Sequence, residues 1–369
     1  MSPPGSAAAI VTAKKRKPAA KAASGGTSKR PRKNTKNDSR TPSPFTAKHP
    51  LGADDLHGLD DLAEAVAGMR AKRPSISSVI VKLNNGVSGQ GNAVVPLDGL
   101  PAPGHPDEPA ALHDRLCRME PESPTLSVEG YLDAFAVGGG IVEERILGEE
   151  LRSPSVQLRV LPGGRVELLS THDQMLGGAS GQSYLGCVFP ASDEYAALIA
   201  DCARPVADRL AELGVLGRFA VDFVVVRPHE GGWEPYAIEL NLRKGGTTHP
   251  FLTLQFLTDG HYDAERAVFL TPSGNPKYLV ATDHLESDLL RGLMPADLFD
   301  IVARRGLHFD QSRQEGIVFH MVSSLTEHGR VGLTAVGDSP QRAWRHYEEA
   351  EHVLLEEARL ALQEQPLPA

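Results

Sequence analysis

Residues 236–250 read YAIELNLRKGGTTHP, and the interpretation of this stretch decides the fold. Tyr236, Ile238 and Leu240 alternate with Ala237, Glu239 and Asn241, the period of a strand that buries one face. Period two puts Glu239 and Asn241 on the same face, and Arg243, Lys244 and a Gly245-Gly246 turn follow at once. A solvated strand face accounts for one acid. It accounts less well for a carboxylate and an amide two residues apart beside two cations. The stretch therefore poses a chemical question: what is held between a carboxylate, an amide oxygen and two positive charges?

Composition narrows the answer. A chain of 369 residues with 41% hydrophobic and 23% charged residues can bury substantial cores in two or three lobes. Its three cysteines, Cys117, Cys187 and Cys202, lack the paired spacing of a disulfide framework or a zinc site. No apolar run is long enough to span a bilayer and the first residues lack the apolar core of a signal peptide, so a reducing cytoplasm is the expected location. Charge is uneven. The first fifty residues hold twelve Lys or Arg against one acid, Asp38, whereas the rest hold 26 basic and 46 acidic residues. The basic segment is rich in Pro, Gly and Ser and has no hydrophobic period, so residues 1–48 are expected to be a disordered tail. Its KKRK and KRPRK runs suit a nuclear address or phosphate attraction, but no aromatic residue is interleaved and the body is acidic, which makes nucleic acid an unlikely ligand.

Beyond residue 49 the pattern alternates between helix and strand. Leu59, Leu62, Val66 and Met69 share a helical stripe that Pro74 ends. SSVIVKL and AVVPL read as strands around the glycine-rich NNGVSGQGN, and the Pro-rich stretch 101–124 reads as a surface connection. A helix over LSVEGYLDAFA, a strand GGIVEERI, a hairpin VQLRVL/VELLS and a helix over about 192–213 follow. RFAVDFVVV and YAIELNL are two strands joined by a turn. GIVFHMV and VGLTAVG form a later pair, and Asp338-Ser339-Pro340 caps a final amphipathic helix.

Two further stretches carry chemistry. VIVKLNNGVSGQGN ends a strand with Lys82 and supplies Gly86, Ser88, Gly89 and Gly91, whose backbone can approach phosphate oxygens closely. It is not a Walker A loop, because a strand follows it and no Lys-Ser/Thr does; a strand–glycine loop–strand cover is a flexible lid. IVEERILGEE delivers Glu143, Glu144, Ile146 and Glu150, where backbone groups around residues 144–146 can meet an adenine edge and a later carboxylate can accept ribose hydroxyls. An exposed charged strand end is the plain alternative for that stretch.

Taken in order, these pieces resemble the ATP-grasp superfamily of carboxylate–amine ligases, and KLNNGVSGQGNAV, ELNLRKGGTTHPF and GIVFHMV with GLTAVGDSP resemble the pheganomycin-type peptide ligases. The resemblance implies an α/β (α+β) architecture: two lobes, at 49–140 and 141–270, hold ATP between them, and a family-specific region covers 271–369. It implies Mg²⁺ ligands at Asp222, Glu239 and Asn241. Arg243 would neutralise the transferring phosphoryl group, with Lys244 beside it. Lys82, Gly86, Ser88, Gly89 and Gly91 would contact the phosphates, and Glu143, Glu144, Ile146 and Glu150 the adenosine. Residues 177–186, together with Gly246, Thr248 and His249, are the candidates for the acceptor side; a structural histidine is an equal reading of His249. ATP and Mg²⁺ are the implied cofactors, and an amino acid or peptide carboxylate and an amine the substrates, with no membrane partner. Relatives carry a further lobe and an ATP-contacting lysine where this chain has its basic tail. An upstream truncation or misassigned reading frame is therefore expected, with a degenerate nucleotide-binding module as the alternative function.

Overall fold

The computed structural model describes residues 48–86, 89–178, 181–228 and 231–364. The expected disorder of the basic tail falls outside these residues, except for Lys48. In the first sheet, β1 (Gly52–Leu56), β2 (Ser78–Leu83), β3 (Asn92–Pro96), β4 (Glu120–Pro121) and β5 (Gly140–Glu144) lie in the spatial order β1-β5-β2-β3-β4, all antiparallel. Three helices belong to this lobe: α1 (Leu59–Lys72), α2 (Glu108–Leu116) and α3 (Val128–Gly138). The helical stripe Leu62, Val66 and Met69 packs with Leu112, Leu116, Tyr131 and Phe135 against Val79, Val81 and Val142. Asp60 and Asp61 begin α1 and Arg70 and Lys72 end it, which complements its dipole. The Ser127 hydroxyl caps α3 by accepting from the Gly130 amide at 3.1 Å.

One expectation fails here. The stretch 101–124 is not merely a surface connection, because it contains α2, whose Leu112 and Leu116 are fully buried. A nine-residue helix among prolines offers too few turns for a periodic signal.

The second sheet is larger. Its strands are β6 (Glu150–Arg152), β7 (Pro154–Val160), β8 (Val166–Gly177), β9 (Ser183–Phe189), β10 (Gly217–Arg227), β11 (Glu234–Asn241), β12 (His261–Asp263), β13 (Val268–Leu270), β14 (Pro276–Glu286), β15 (Gly316–His320) and β16 (Arg330–Gly337). The main path runs β11-β10-β7-β8-β9-β14-β13-β12, with β6 beside β10, β16 beside β14 and β15 beside β16. Helix α4 (Ala196–Glu212) covers one part, burying Ile199, Ala203, Val206 and Leu210 against Phe219, Phe223 and Leu240. Helices α5 (Thr248–Thr258), α6 (Pro295–Arg305), α7 (Ser324–His328) and α8 (Pro340–Glu364) accompany the later strands, and Ser339 caps α8 through the Arg342 amide at 3.2 Å. The first sheet extends through β5 to Glu144, past the division expected at 140/141. The region after 271 places β14 and β16 in the same sheet as β10 and β11.

The alternation read in YAIELNL is also corrected. Asp222 pairs with Glu239, but its neighbour Phe223 pairs with Ala237, so Ile238 is the extra residue of a β-bulge. The bulge changes the phase: Ala237 and Leu240 enter the core, whereas Tyr236 and Ile238 are only half-buried.

In the first lobe Arg70 of α1 donates to Glu108 at the start of α2, and both side chains are buried. Arg70 also donates to the Pro101 carbonyl at 2.7 Å, and Glu108 accepts from the Gly104 amide at 2.6 Å. Removing one member leaves the other charge buried and uncompensated, which costs about 3–5 kcal/mol. Glu108→Ala is therefore expected to lower the denaturation midpoint sharply, whereas the exposed pair Arg118–Asp114 tolerates Asp114→Ala with a change of about 0.5 kcal/mol or less. Equal effects of the two substitutions in urea denaturation would refute the structural role of the buried pair.

Candidate nucleotide and metal site

Directly opposite residues of an antiparallel pair project to one face, so the Asp222–Glu239 pairing brings these carboxylates together, and Asn241 follows on the same face. The Asn241 amide nitrogen donates to Asp222 Oδ2 at 2.8 Å, which leaves its carbonyl oxygen as the outward acceptor. From the neighbouring strand β7, Ser155 Oγ donates to Asp222 Oδ1 at 2.6 Å. Burial and then the facing charge of Glu239 push the Asp222 carboxyl above the usual range; Ser155, the Arg243 charge and Gln174 act in the opposite direction. Two carboxylates and an amide oxygen form the hard donor set that Mg²⁺ takes, and a divalent cation would offset the repulsion between the acids. The residues present therefore fit Mg²⁺. Among the described residues no group of three or more His, Cys, Asp or Glu could hold a metal, and here the third oxygen is the Asn241 amide.

Lys82, on β2, makes an ion pair with Glu143 of β5, and both side chains are largely buried. Glu143 in turn lines a small cavity with His49, Gly52, Ile141, Ala237 and Ile238. Because Ile238 immediately precedes Glu239, this cavity joins the Lys82–Glu143 pair to the strand that carries Glu239 and Asn241. Lys48 closes the same junction: its carbonyl accepts from the Ala237 amide at 2.9 Å and its ammonium donates to Glu234 at 2.7 Å.

Glu144 behaves differently from its neighbour. Its carboxylate pairs with Arg73 and accepts from the Leu51 amide at 3.4 Å, while its own amide donates to the Leu51 carbonyl at 2.7 Å. The Arg145 amide is likewise engaged, by the Ser78 carbonyl at 3.0 Å. Two of the backbone donors expected to meet an adenine edge are thus used within the lobe. Ile146 lies half-buried in the connection between the sheets. Glu150, on β6, is held by Arg152 at 3.0 Å and Arg227 at 3.3 Å, toward the end of β10 remote from Asp222's Ser155 contact.

The glycine loop leaves β2 and returns as β3. Gly86 and Gly91 lie so close that a Cβ on either would come within 3 Å of the other's backbone. Gly89 has φ +82°, and a Cβ there would come 2.2 Å from the Gln182 carbonyl oxygen, so the loop lies against the β8–β9 tip. Ser183, at that tip, donates to Glu122 of the first lobe at 3.0 Å. Tyr131 anchors the base of the loop by sharing its hydroxyl between the Val81 and Gly91 carbonyls, 2.9 Å from each. Ser88 lies outside the described residues.

The RKGGTTHP segment forms the other wall. Arg243 is exposed and donates to the Lys244 carbonyl at 3.3 Å; Lys244 is exposed beside it. The Thr248 hydroxyl accepts from the Gly245 amide at 3.1 Å, so it braces the turn from within. Gly246 faces the ring of Tyr184, which leaves no space for a Cβ. The His249 ring lies against that of His320, with centroids 4.5 Å apart and the planes tilted by 46°. Gly245, Gly246, His249 and Pro250 border a cavity of about 250 Å³ whose wall also includes Tyr184, Thr282, Asp283 and His320. Burial and the nearby His249 bring His320 down to about 4. Tyr184 falls inside the 177–186 stretch singled out in the sequence. Ser155, Gln174, Asp283 and His320 carried no sequence signal, because each becomes relevant only through strand pairing.

The raised Asp222 carboxyl has a defined pH consequence. In the folded, metal-free protein it keeps its proton at pH values where the unfolded chain, near the ordinary ~3.9, has lost it. This group therefore favours folding increasingly as pH falls from its folded value toward ~3.9, and protons compete with a cation for the same oxygens. Mg²⁺ with ADP is expected to raise the melting temperature more at pH 8 than at pH 6, and Glu239→Gln to flatten that difference. Equal shifts at both pH values in wild-type thermal melts would overturn the electrostatic account.

Comparison with known proteins places this geometry among relatives. Residues 118–265 match a family model described as IQCH-like, ATP-grasp, and residues 297–350 match one described as PGM1 C-terminal domain. The chain is 34% identical over 218 residues to an L-propargylglycine–L-glutamate ligase of Streptantibioticus cattleyicolor, covering 59% of this chain and 43% of that protein. It is 22% identical over 325 residues to an IQ motif-containing protein H of Danio rerio, covering 80% of this chain and 30% of that protein. The chain thus spans less than half the length of these curated relatives. Among solved structures, a biotin carboxylase complex with β,γ-ATP from Campylobacter jejuni superposes with a TM-score of 0.50 at 14% identity, over 85% of this chain and 67% of that one. At that identity the likeness concerns the fold alone. The chain has the ATP-grasp fold and resembles the carboxylate–amine ligases built on it, those of the pheganomycin type included.

Proposed function

We propose that this protein is an ATP-dependent carboxylate–amine ligase that works through an acyl phosphate. The observation that carries this reading is the convergence of Asp222, Glu239 and Asn241 beside a junction lined by Glu143, the partner of Lys82. The similarity to a ligase whose name joins two amino acids supports it.

In this reading the substrate carboxylate attacks the γ-phosphate of ATP, giving an acyl phosphate and ADP, and an amine then displaces phosphate to form the amide. Asp222, Glu239 and Asn241 would hold Mg²⁺, which when bound supplies positive charge against the phosphate oxygens. Lys82 adds charge on the phosphates and is kept in place by Glu143. Arg243, exposed just after the trio, neutralises the phosphoryl group in transfer, with Lys244 beside it. Gly86, Ser88, Gly89 and Gly91 cover the phosphates, and the contact of Gly89 with the β8–β9 tip closes the cover against the second lobe. Excluding water there protects the acyl phosphate from hydrolysis. Glu143, Glu144, Ile146 and Glu150 are assigned to the adenosine side. Glu144 acts through the lobe it braces rather than through a free carboxylate. Gly246, Thr248 and His249 shape the acceptor side, with Thr248 holding the turn. A cytoplasmic location and a role in peptide natural-product synthesis belong to the same proposal. No helix among the described residues is long and apolar enough to cross a membrane.

Glu239→Ala and Asn241→Ala are each expected to lower ADP release about 100-fold or more, with the circular dichroism spectrum unchanged. The assay is ADP and phosphate release against a panel of amino acids and peptides. Wild-type rates in both variants would remove the metal assignment; Mg-ATP binding with no ADP from any panel member would favour a nucleotide-binding module without ligase activity.

A further inference from the structure

Strand β7 reads PSVQLRV, and its two faces meet different surroundings. Val156, Leu158 and Val160 pack under α4 with Phe219 and Val221. Ser155 and Gln157 point to the other face, where an alternating strand ordinarily gives its polar residues to water. Here they are sealed, with 2% and 5% of their surface exposed. Strand pairing explains what they meet. Ser155 stands between Asp222 on β10 and His172 on β8, and Asp222 in turn faces Glu239 on β11. Two residues along, Gln157 stands between Ala220 and Ser170, with Asn241 beyond Ala220. These are two cross-strand rows on one face of the sheet, and Ala220 is their single apolar member.

The hydrogen bonds within the rows have a direction. Gln157 Nε2 can only donate, and it donates to Ser155 Oγ at 3.2 Å. Ser155 carries one hydroxyl hydrogen and is closed to water, so that hydrogen goes to Asp222 Oδ1 at 2.6 Å. Asn241 Nδ2 donates to the other oxygen, Oδ2, at 2.8 Å. Held on both oxygens, the Asp222 carboxylate cannot turn without breaking a bond, and Gln174 adds a further one from β8. Asn241 commits its amide nitrogen to this carboxylate, so the placing of its carbonyl oxygen depends on Asp222 being held. Ser155 thereby acts on Asp222 directly and on Asn241 through it. Ser170 and His172 form a separate pair, with Oγ and Nε2 2.9 Å apart.

We propose that Ser155 is a positioning residue of the cation site, fixed by Gln157 behind it, and that its hydroxyl sets how tightly Mg²⁺ is held with a nucleotide. The inference rests on the metal assignment made above and extends it to side chains that stand behind Asp222. Outer partners of this kind orient the ligands of a metal, and losing one typically costs roughly 10–100-fold in metal affinity.

The test measures ADP affinity of the full chain by calorimetry, once in excess Mg²⁺ and once in EDTA. The ratio of the two is the gain that Mg²⁺ supplies. Ser155→Ala is expected to reduce this gain about tenfold, with the affinity in EDTA and the circular dichroism spectrum unchanged. Gln157→Met is expected to act in the same direction and more weakly, because Ser155 keeps its hydroxyl but loses the donor that fixes its hydrogen. Ser170→Ala is the control. Ser170 is also buried on the same face, but its hydrogen bond goes to His172, so the gain is expected to stay at the wild-type value even where the melting temperature falls. A wild-type gain in Ser155→Ala, or an equal loss of affinity in Mg²⁺ and in EDTA, would overturn the positioning role and leave the metal assignment intact. An equal loss of gain in Ser170→Ala would do the same. Should Ser155→Ala fail to fold, Gln157→Met decides, and a wild-type gain there overturns the role. Absence of any gain from Mg²⁺ in the wild-type protein would instead sink the metal assignment, and this role with it.

Discussion

Two carboxylates facing each other across β10 and β11 set the terms for the rest of the molecule. Asp222 and Glu239 repel in a buried setting, and burial alone already disfavours the charged form of Asp222. The fold sustains this because Ser155, Asn241 and Gln174 donate to Asp222, while the Arg243 charge stands nearby. Such an arrangement is costly in an apo protein and becomes favourable when a cation shares the oxygens. The bulge at Ile238 belongs to the same construction: it changes the phase of β11 so that Leu240 packs under α4 while Glu239 and Asn241 remain on the reactive face.

Everything brought to this pair arrives from elsewhere in the chain through close backbone approach. The Lys48 carbonyl binds β11 before the chain enters the first lobe, so the two sheets are joined at the strand that carries the site. At the other end the glycine loop meets the β8–β9 tip where a side chain on Gly89 would not fit. Glu122 and Ser183 reinforce that second junction. The space between the two sheets is therefore bounded by contacts at both ends, each made by segments too narrow or too tightly paired to accept bulk.

The later strands extend the same logic to the cavity beside His249. β14 belongs to the large sheet but carries a bulge of its own, and the wall it presents is polar where the core beneath is aromatic. Phe189, Phe251 and Phe269 pack edge to face below, while Asp283 and His320 line the cavity. A closely packed apolar layer under a polar wall holds the strands that carry Asp283 and His320.

Much of this was legible in the residues themselves, and the reason is local geometry. The shared face of Glu239 and Asn241 follows from a two-residue period. The close backbone approach of Gly86, Gly89 and Gly91 follows from the lack of side chains there, and the helical stripe of α1 from a 3.6-residue period. What the sequence could not decide depends on partners distant along the chain. Glu144 and Thr248 have the chemistry of ligand contacts, yet Arg73 and Gly245 claim their side chains. Tyr236 and Ile238 look like core residues until the bulge moves Ala237 into their place. Asp283 and His320 meet in one cavity wall only because three strands set a bulge opposite Gly332, and an alternation pattern records which face a residue takes but not which residue stands across from it.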